Sequence, residues 1–139
     1  MKYLLDTDTL IDDLEDRDKT RGQVTAMIEA GDEIAWCSIT VAELCSGLNE
    51  QRRIKWEKWL MALPYWIISC MAARQAGIDR KAASNRGHTL SVSDSFIAAV
   101  AREKGATVLT SNIKDYPLEN VRVMSLREKA ALSYSPLAY

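Results

Sequence analysis

Five acidic residues stand at positions where chemistry is a ready explanation for an acid. Asp6 follows directly on the apolar run Tyr3-Leu4-Leu5, and Asp8 stands two residues further on. Glu43 and Asp94 each lie at the opening of an apolar helical period, and Asp115 follows the polar loop Ser111-Asn112-Ile113-Lys114. Carboxylates gathered in one place repel one another unless a cation lies among them. A ligand set made of oxygen alone selects a hard divalent ion such as Mg²⁺ or Mn²⁺ over zinc. Such an ion polarises a phosphoryl group and lowers the pKa of an attacking water. The chemistry these residue types suggest is therefore metal-assisted hydrolysis of a phosphate ester.

Each acid also has a quieter explanation. Thr40-Val41-Ala42-Glu43 fits a capping box, and Ser91-Val92-Ser93-Asp94 fits one with Asp in the place of Glu. An acid in a first turn also suits the helix dipole. Glu43 lies two residues after Val41, about 200° around a helix from it, so it points away from the apolar stripe. A capping acid and a cleft acid would both do that. Asp115 fits an Asx-turn. Asp6 ends a strand that should be buried, where an unpaired carboxylate is costly. An N-capping role, a cation or a basic partner must stabilise it. Asp8 is the better cap for a helix starting at Leu10, which leaves Asp6 to a cation.

Short apolar runs alternate along the chain with helical periods, the pattern of βαβ units and a parallel sheet. Strands are expected at Tyr3–Leu5, Ile34–Cys37, Tyr65–Ile68, Thr107–Thr110 and Val121–Met124. Helices are expected over Leu10–Arg17 and Thr20–Ala30, the latter closed by Gly31. Val41, Leu44, Cys45 and Leu48 form the next apolar stripe, at i, i+3, i+4 and i+7. Glu50–Leu63 carries Trp56, Trp59, Leu60 and Leu63 at similar spacing and stops at Pro64. Met71–Asn85 follows, then Ser93–Lys104 with Phe96, Ile97, Val100 and Ala101 facing inward and Gly105 as its cap. In open parallel sheets ligands sit beyond the carboxyl ends of the strands. Such a sheet would bring several of the acids to one edge.

The chain of 139 residues suits one domain, expected over 1–132 with a tail over 133–139. Apolar residues at 47% and charged residues at 27% match a soluble globular protein. No apolar run is long enough for a bilayer, and the first residues are too few for a signal-peptide core, so no membrane association is expected. Eighteen basic against nineteen acidic residues, net −1, give no global nucleic-acid field. Three cysteines without a CxxC pair, and a single histidine, exclude a disulfide framework and a structural zinc site. Cys37 and Cys45 read as small core residues in a reducing cytoplasm. Arg80, Lys81, Arg86 and His88 lie on the approach to Asp94 and could contact phosphates, although a lone histidine has a structural explanation too. Arg52, Arg53, Lys55 and Lys58 read as a solvated face or a contact to RNA or an acidic partner, and Trp56 and Trp59 as core or a dimer face.

Four motifs in order resemble the PIN-domain ribonucleases, in particular the VapC/FitB-type toxins of bacterial toxin–antitoxin pairs. Leu4-Leu5-Asp6-Thr7-Asp8 resembles their opening strand, and Ser38-Ile39-Thr40-Val41-Ala42-Glu43-Leu44, with Gly47 three residues on, their second motif. Ser93-Asp94-Ser95-Phe96-Ile97-Ala98-Ala99-Val100-Ala101 is similar to their acid-bearing helix. Leu109-Thr110-Ser111-Asn112-Ile113-Lys114-Asp115-Tyr116 is similar to their closing motif, with Tyr in the place of Phe. The resemblance implies a three-layer α/β/α sandwich with a parallel, roughly five-stranded sheet. It implies a Mg²⁺- or Mn²⁺-dependent endoribonuclease, with Asp6, Glu43 and Asp94 as metal-binding acids and Asp115 as a fourth catalytic acid. Thr110 would be a supporting hydroxyl. Asn112 stands where some relatives carry aspartate, which leaves open whether Asn112 or Asp115 completes the site. Lys81, Arg86 and His88 are candidate RNA contacts. The resemblance further implies a homodimer and a small antitoxin protein, with a higher assembly of the two. Two other functions compete: a catalytically inactive PIN-like binding module, and a Mg²⁺-dependent phosphatase built on Asp6-Thr7-Asp8.

Overall fold

The computed structural model describes residues 1–7, 9 and 17–126. Strand β1 (Lys2–Leu5) leads to helix α1 (Arg17–Glu29), strand β2 (Glu33–Cys37) and helices α2 (Ser38–Gly47) and α3 (Glu50–Leu60). Strand β3 (Tyr65–Trp66), helices α4 (Cys70–Asn85) and α5 (Val92–Lys104) and strand β4 (Thr107–Leu109) follow. A 3₁₀ turn (Ile113–Asp115) precedes strand β5 (Val123–Met124).

Among the described residues the strands form one five-stranded sheet in the order β3-β2-β1-β4-β5. Every pairing is parallel, with Tyr3 opposite Ile34 on one side and Thr107 on the other. Alternation along the strands splits the core in two. Leu4, Ala35, Cys37 and Val108 face one layer, built from Ala72 and Ala76 of α4 and Ile97, Ala98 and Val100 of α5. Tyr3, Leu5, Ile34, Trp36 and Leu109 face the other, built from Val24 and Met27 of α1, Leu44 of α2, and Trp56 and Leu60 of α3. Both faces are covered, as a parallel sheet requires, and the result is the expected α/β/α sandwich. The chain builds outward from β1 to β2 and β3, then returns to lay β4 and β5 on the far side. The switch point of the sheet therefore lies between β1 and β4, where open α/β sheets hold their ligands.

The helix ends follow side-chain chemistry. Asn49, Ser69 and Ser91 cap α3, α4 and α5 by accepting from the backbone N–H of Arg52, Ala72 and Asp94 at 3.0–3.1 Å. Gly105 ends α5 at φ +65°, a left-handed value that other residues adopt only with strain.

Several expectations are corrected. Helix α2 begins at Ser38, directly after β2, with Cys37 at the cap position and no side-chain cap bond. Thr40 and Glu43 therefore lie inside the helix, and the capping-box explanation for Glu43 falls. Cys45 is exposed rather than in the core, because the buried line of α2 is Thr40 and Leu44. Helix α3 ends at Leu60, and Ala62 and Leu63 close a tighter turn onto Trp59 and Leu60. Strands β3 and β5 hold two residues each, because each pairs only along its inner side at an edge of the sheet. The expected Leu10 helix, Asp8 as its cap, and the 133–139 tail lie outside the described residues.

Candidate active site

The acids that sequence spacing singled out meet across the switch point. Asp6 follows β1 without a break, and its N–H extends the β1–β4 ladder by donating to the Leu109 carbonyl at 2.9 Å. That tie buries the residue to 2% exposure. A carboxylate at such depth needs donors. The Thr110 hydroxyl, one residue past β4, donates to Asp6 Oδ2 at 2.9 Å, and the Asn112 N–H donates to Thr110 Oγ1 at 3.1 Å. The chain of donors runs from Asn112 through Thr110 to Asp6, and each bond polarises the next.

Glu43 reaches the same place from α2. The hydroxyl of Thr7, a buried residue, donates to its Oε1 at 3.0 Å. The end of β1 thus supplies one acid and orients a second. Asp94 comes from the first turn of α5, with its N–H held by the Ser91 hydroxyl. Here the capping motif read from sequence is present at its N-cap. Asp115 sits in the 3₁₀ turn after β4, where its Oδ1 accepts from Asn112 Nδ2 at 3.1 Å.

Asp6, Glu43, Asp94 and Asp115 line one cleft of about 500 Å³, together with the hydroxyl residues Thr89, Ser91 and Ser93. Asn112 bonds to Asp115 but does not itself line the cleft. Among the described residues no lysine or arginine lines it. Among them, too, no three acidic, histidine or cysteine side chains are already drawn into a metal-holding group. The four carboxylates face a common space while hydrogen bonds from Thr7, Thr110 and Asn112 hold three of them in place. Such an all-oxygen wall fits a hard divalent cation, which takes oxygen ligands and retains several waters.

Cys37, at the end of β2, does not belong to this wall. Burial pushes its thiol above the ordinary 9.0, although the backbone amides of Ile39 and Thr40 pull the other way. Lys81 and His88 line a second hollow, of about 390 Å³, which shares Thr89 with the acid cleft. Arg86 lines neither, since its Nη2 donates to the Pro117 carbonyl at 3.1 Å. Reading the spacing missed the parts played by Thr7 and Thr89, whereas Arg80, which it placed on the approach to Asp94, also lines the second hollow. The one available signal was a hydroxyl next to Asp6 in Asp6-Thr7.

A three-layer sandwich with carboxylates gathered over the switch point of a parallel sheet has the PIN-like fold. The chain belongs to the PIN domain family, which it matches over residues 3–121. It is similar to Ribonuclease VapC19 of Mycobacterium tuberculosis, with 28% identity over 117 residues, 83% of this chain and 92% of that protein. Among solved structures it resembles VapBC2 from Rickettsia felis bound to a DNA fragment from the promoter of its genes. There the TM-score is 0.78 and the identity 25%, over 90% of this chain and 98% of that one. DNA-bound VapBC from Salmonella typhimurium shares the fold at a TM-score of 0.77 and 23% identity, over 91% and 98% of the two chains.

Proposed function

We propose that this protein is a divalent-metal-dependent endoribonuclease and the toxin component of a type II toxin–antitoxin system. The observation that carries the reading is the convergence of four carboxylates from four separate segments on one cleft. Capping does not account for that convergence, because Glu43 lies inside α2 and takes its hydrogen bond from Thr7.

Asp6, Asp94 and Glu43 would hold Mg²⁺ or Mn²⁺, and Asp115 would complete the set. When bound, the ion supplies Lewis-acid polarisation of the phosphoryl oxygen and a more acidic water. The protein's own groups do the rest. Thr110 holds Asp6 by donating to one of its oxygens. Glu43, oriented by Thr7, accepts a proton from the attacking water as that oxygen bonds to phosphorus. The P–O bond to the leaving nucleotide breaks, and its oxygen takes up a proton from solvent. Asn112 keeps Asp115 turned to the cleft.

The named activity of the Mycobacterium tuberculosis relative supports RNA as the substrate. The VapBC assemblies among the solved structures support a small antitoxin partner. The homodimer rests on the family resemblance. Among the described residues no helix is long and apolar enough to cross a membrane.

Purified protein should cut a mixed RNA pool in Mg²⁺ and stop in EDTA, and calorimetry should show Mg²⁺ binding. Absence of both cutting and Mg²⁺ binding would support the inactive binding module instead. Trapping of an acyl-phosphate on Asp6 would support the phosphatase.

A further inference from the structure

The acid cleft alone is a poor place for a polyanion. Its wall carries four carboxylates and, among the described residues, no lysine or arginine. Beside it, across Thr89, opens the second hollow, with the opposite character. Arg80, Lys81 and His88 line it with the hydroxyl residues Ser84 and Thr89, and no acid does so among the described residues. We infer that this hollow is a phosphate subsite that seats a neighbouring phosphodiester of the RNA strand while another lies over the acids. The inference rests on the ribonuclease reading and adds to it where the strand runs.

Three observations support it. First, Arg80 is anchored: its Nε donates to the Leu90 carbonyl at 3.0 Å. That bond fixes the plane of the guanidinium, so its terminal nitrogens form a preset fork suited to phosphate oxygens. Second, these cations are not needed to close α4. The N–H groups of His88 and Gly87 already donate to the Ala83 and Ser84 carbonyls at 2.9 and 3.0 Å, with Gly87 left-handed at φ +79°. This is a Schellman closure, which satisfies the end carbonyls within the backbone. Third, Thr89 belongs to both walls, so a strand crossing it passes from one to the other without leaving the surface. The other basic run differs. On α3, Arg53 is already paired with Glu57 at 3.0 Å.

The test is fluorescence anisotropy of a labelled single-stranded RNA pool on the full chain carrying Asp94→Asn, in Mg²⁺, across a salt series. Wild-type cleavage of the same pool is followed in parallel. Adding Lys81→Ala, an exposed change that leaves the core alone, should weaken binding about five- to tenfold. It should also flatten the slope of log K against log[salt] by about 0.7, the loss of one single-strand phosphate contact. Lys81→Arg should restore both, and Lys55→Ala should change neither. Affinity within twofold and an unchanged slope for Lys81→Ala, beside a wild type that cleaves, would overturn the subsite and leave the nuclease standing. A wild type that neither binds nor cuts RNA would overturn the reading beneath it.

Discussion

Two threonines carry the geometry of the cleft. Thr7 and Thr110 each give their one hydroxyl proton to a carboxylate, Glu43 and Asp6 respectively. Groups that orient metal-binding residues commonly contribute 10- to 100-fold to affinity. Thr7→Val is expected to raise the Mg²⁺ concentration for half-maximal cleavage about tenfold, and Thr7→Ser to restore it. A metal titration of the cleavage rate checks this, and a wild-type requirement in Thr7→Val would contradict the role of Thr7. Asp6 was legible because aspartate is poorly suited to a strand, and Glu43, Asp94 and Asp115 because each stands in one of four motifs that follow in order. Their hydroxyl partners were not. The Thr7–Glu43 contact spans 36 residues, and spacing says nothing of which hydroxyl meets which acid. Cys45 shows the same limit. Its place in a stripe suggested burial, yet it faces Glu57 of α3 at 4.0 Å, in solvent. Native protein should therefore be alkylated at Cys45 and Cys70 but not at Cys37, which mass spectrometry can count. Folding raises the Cys37 pKa, so the native state holds that proton more tightly. Its contribution to stability is complete below pH 9.0 and is lost as pH rises through the folded value. Cys37→Ala should show a shallower alkaline loss of stability in urea melts repeated across pH.

At the scale of elements, the site depends on how α5 is seated, because Asp94 rides on its first turn. The buried Asp79 of α4 pairs with Arg102 of α5 and also accepts from Gln75 Nε2 at 2.9 Å. Removing one partner of a buried pair leaves an uncompensated charge and costs about 3–5 kcal/mol. Arg102→Ala should lower stability by that order in a urea melt, and a change below about 1 kcal/mol would show that the pair contributes little. Neither residue stood out in the sequence, since an aspartate and an arginine 23 residues apart look like surface. The ends of α5 were legible: Ser91 and Gly105 are cap residues by type and behave as such. The start of α2 was not. Thr40 and Glu43 fit a capping box by spacing, but the backbone turns helical immediately after β2 and passes both inside.

At the scale of the molecule, one topological fact organises the rest. The sheet reverses its direction of growth between β1 and β4, and the acids stand beyond the carboxyl ends of those strands. Alternating runs predicted a parallel sheet, because both faces must be buried by the connecting helices. The strand order was beyond their reach, since apolar runs such as Ile34–Cys37 and Thr107–Leu109 carry no label of their neighbours. The central claim is that the acids at this switch point perform the cleavage. Its most direct measurement is RNA cleavage in Mg²⁺ by Asp6→Asn and Asp94→Asn proteins, with folding verified by circular dichroism. Both variants should fold and both should lose at least a hundredfold in rate, about 2.7 kcal/mol of transition-state stabilisation. A folded variant of either that cuts RNA at the wild-type rate would contradict the claim.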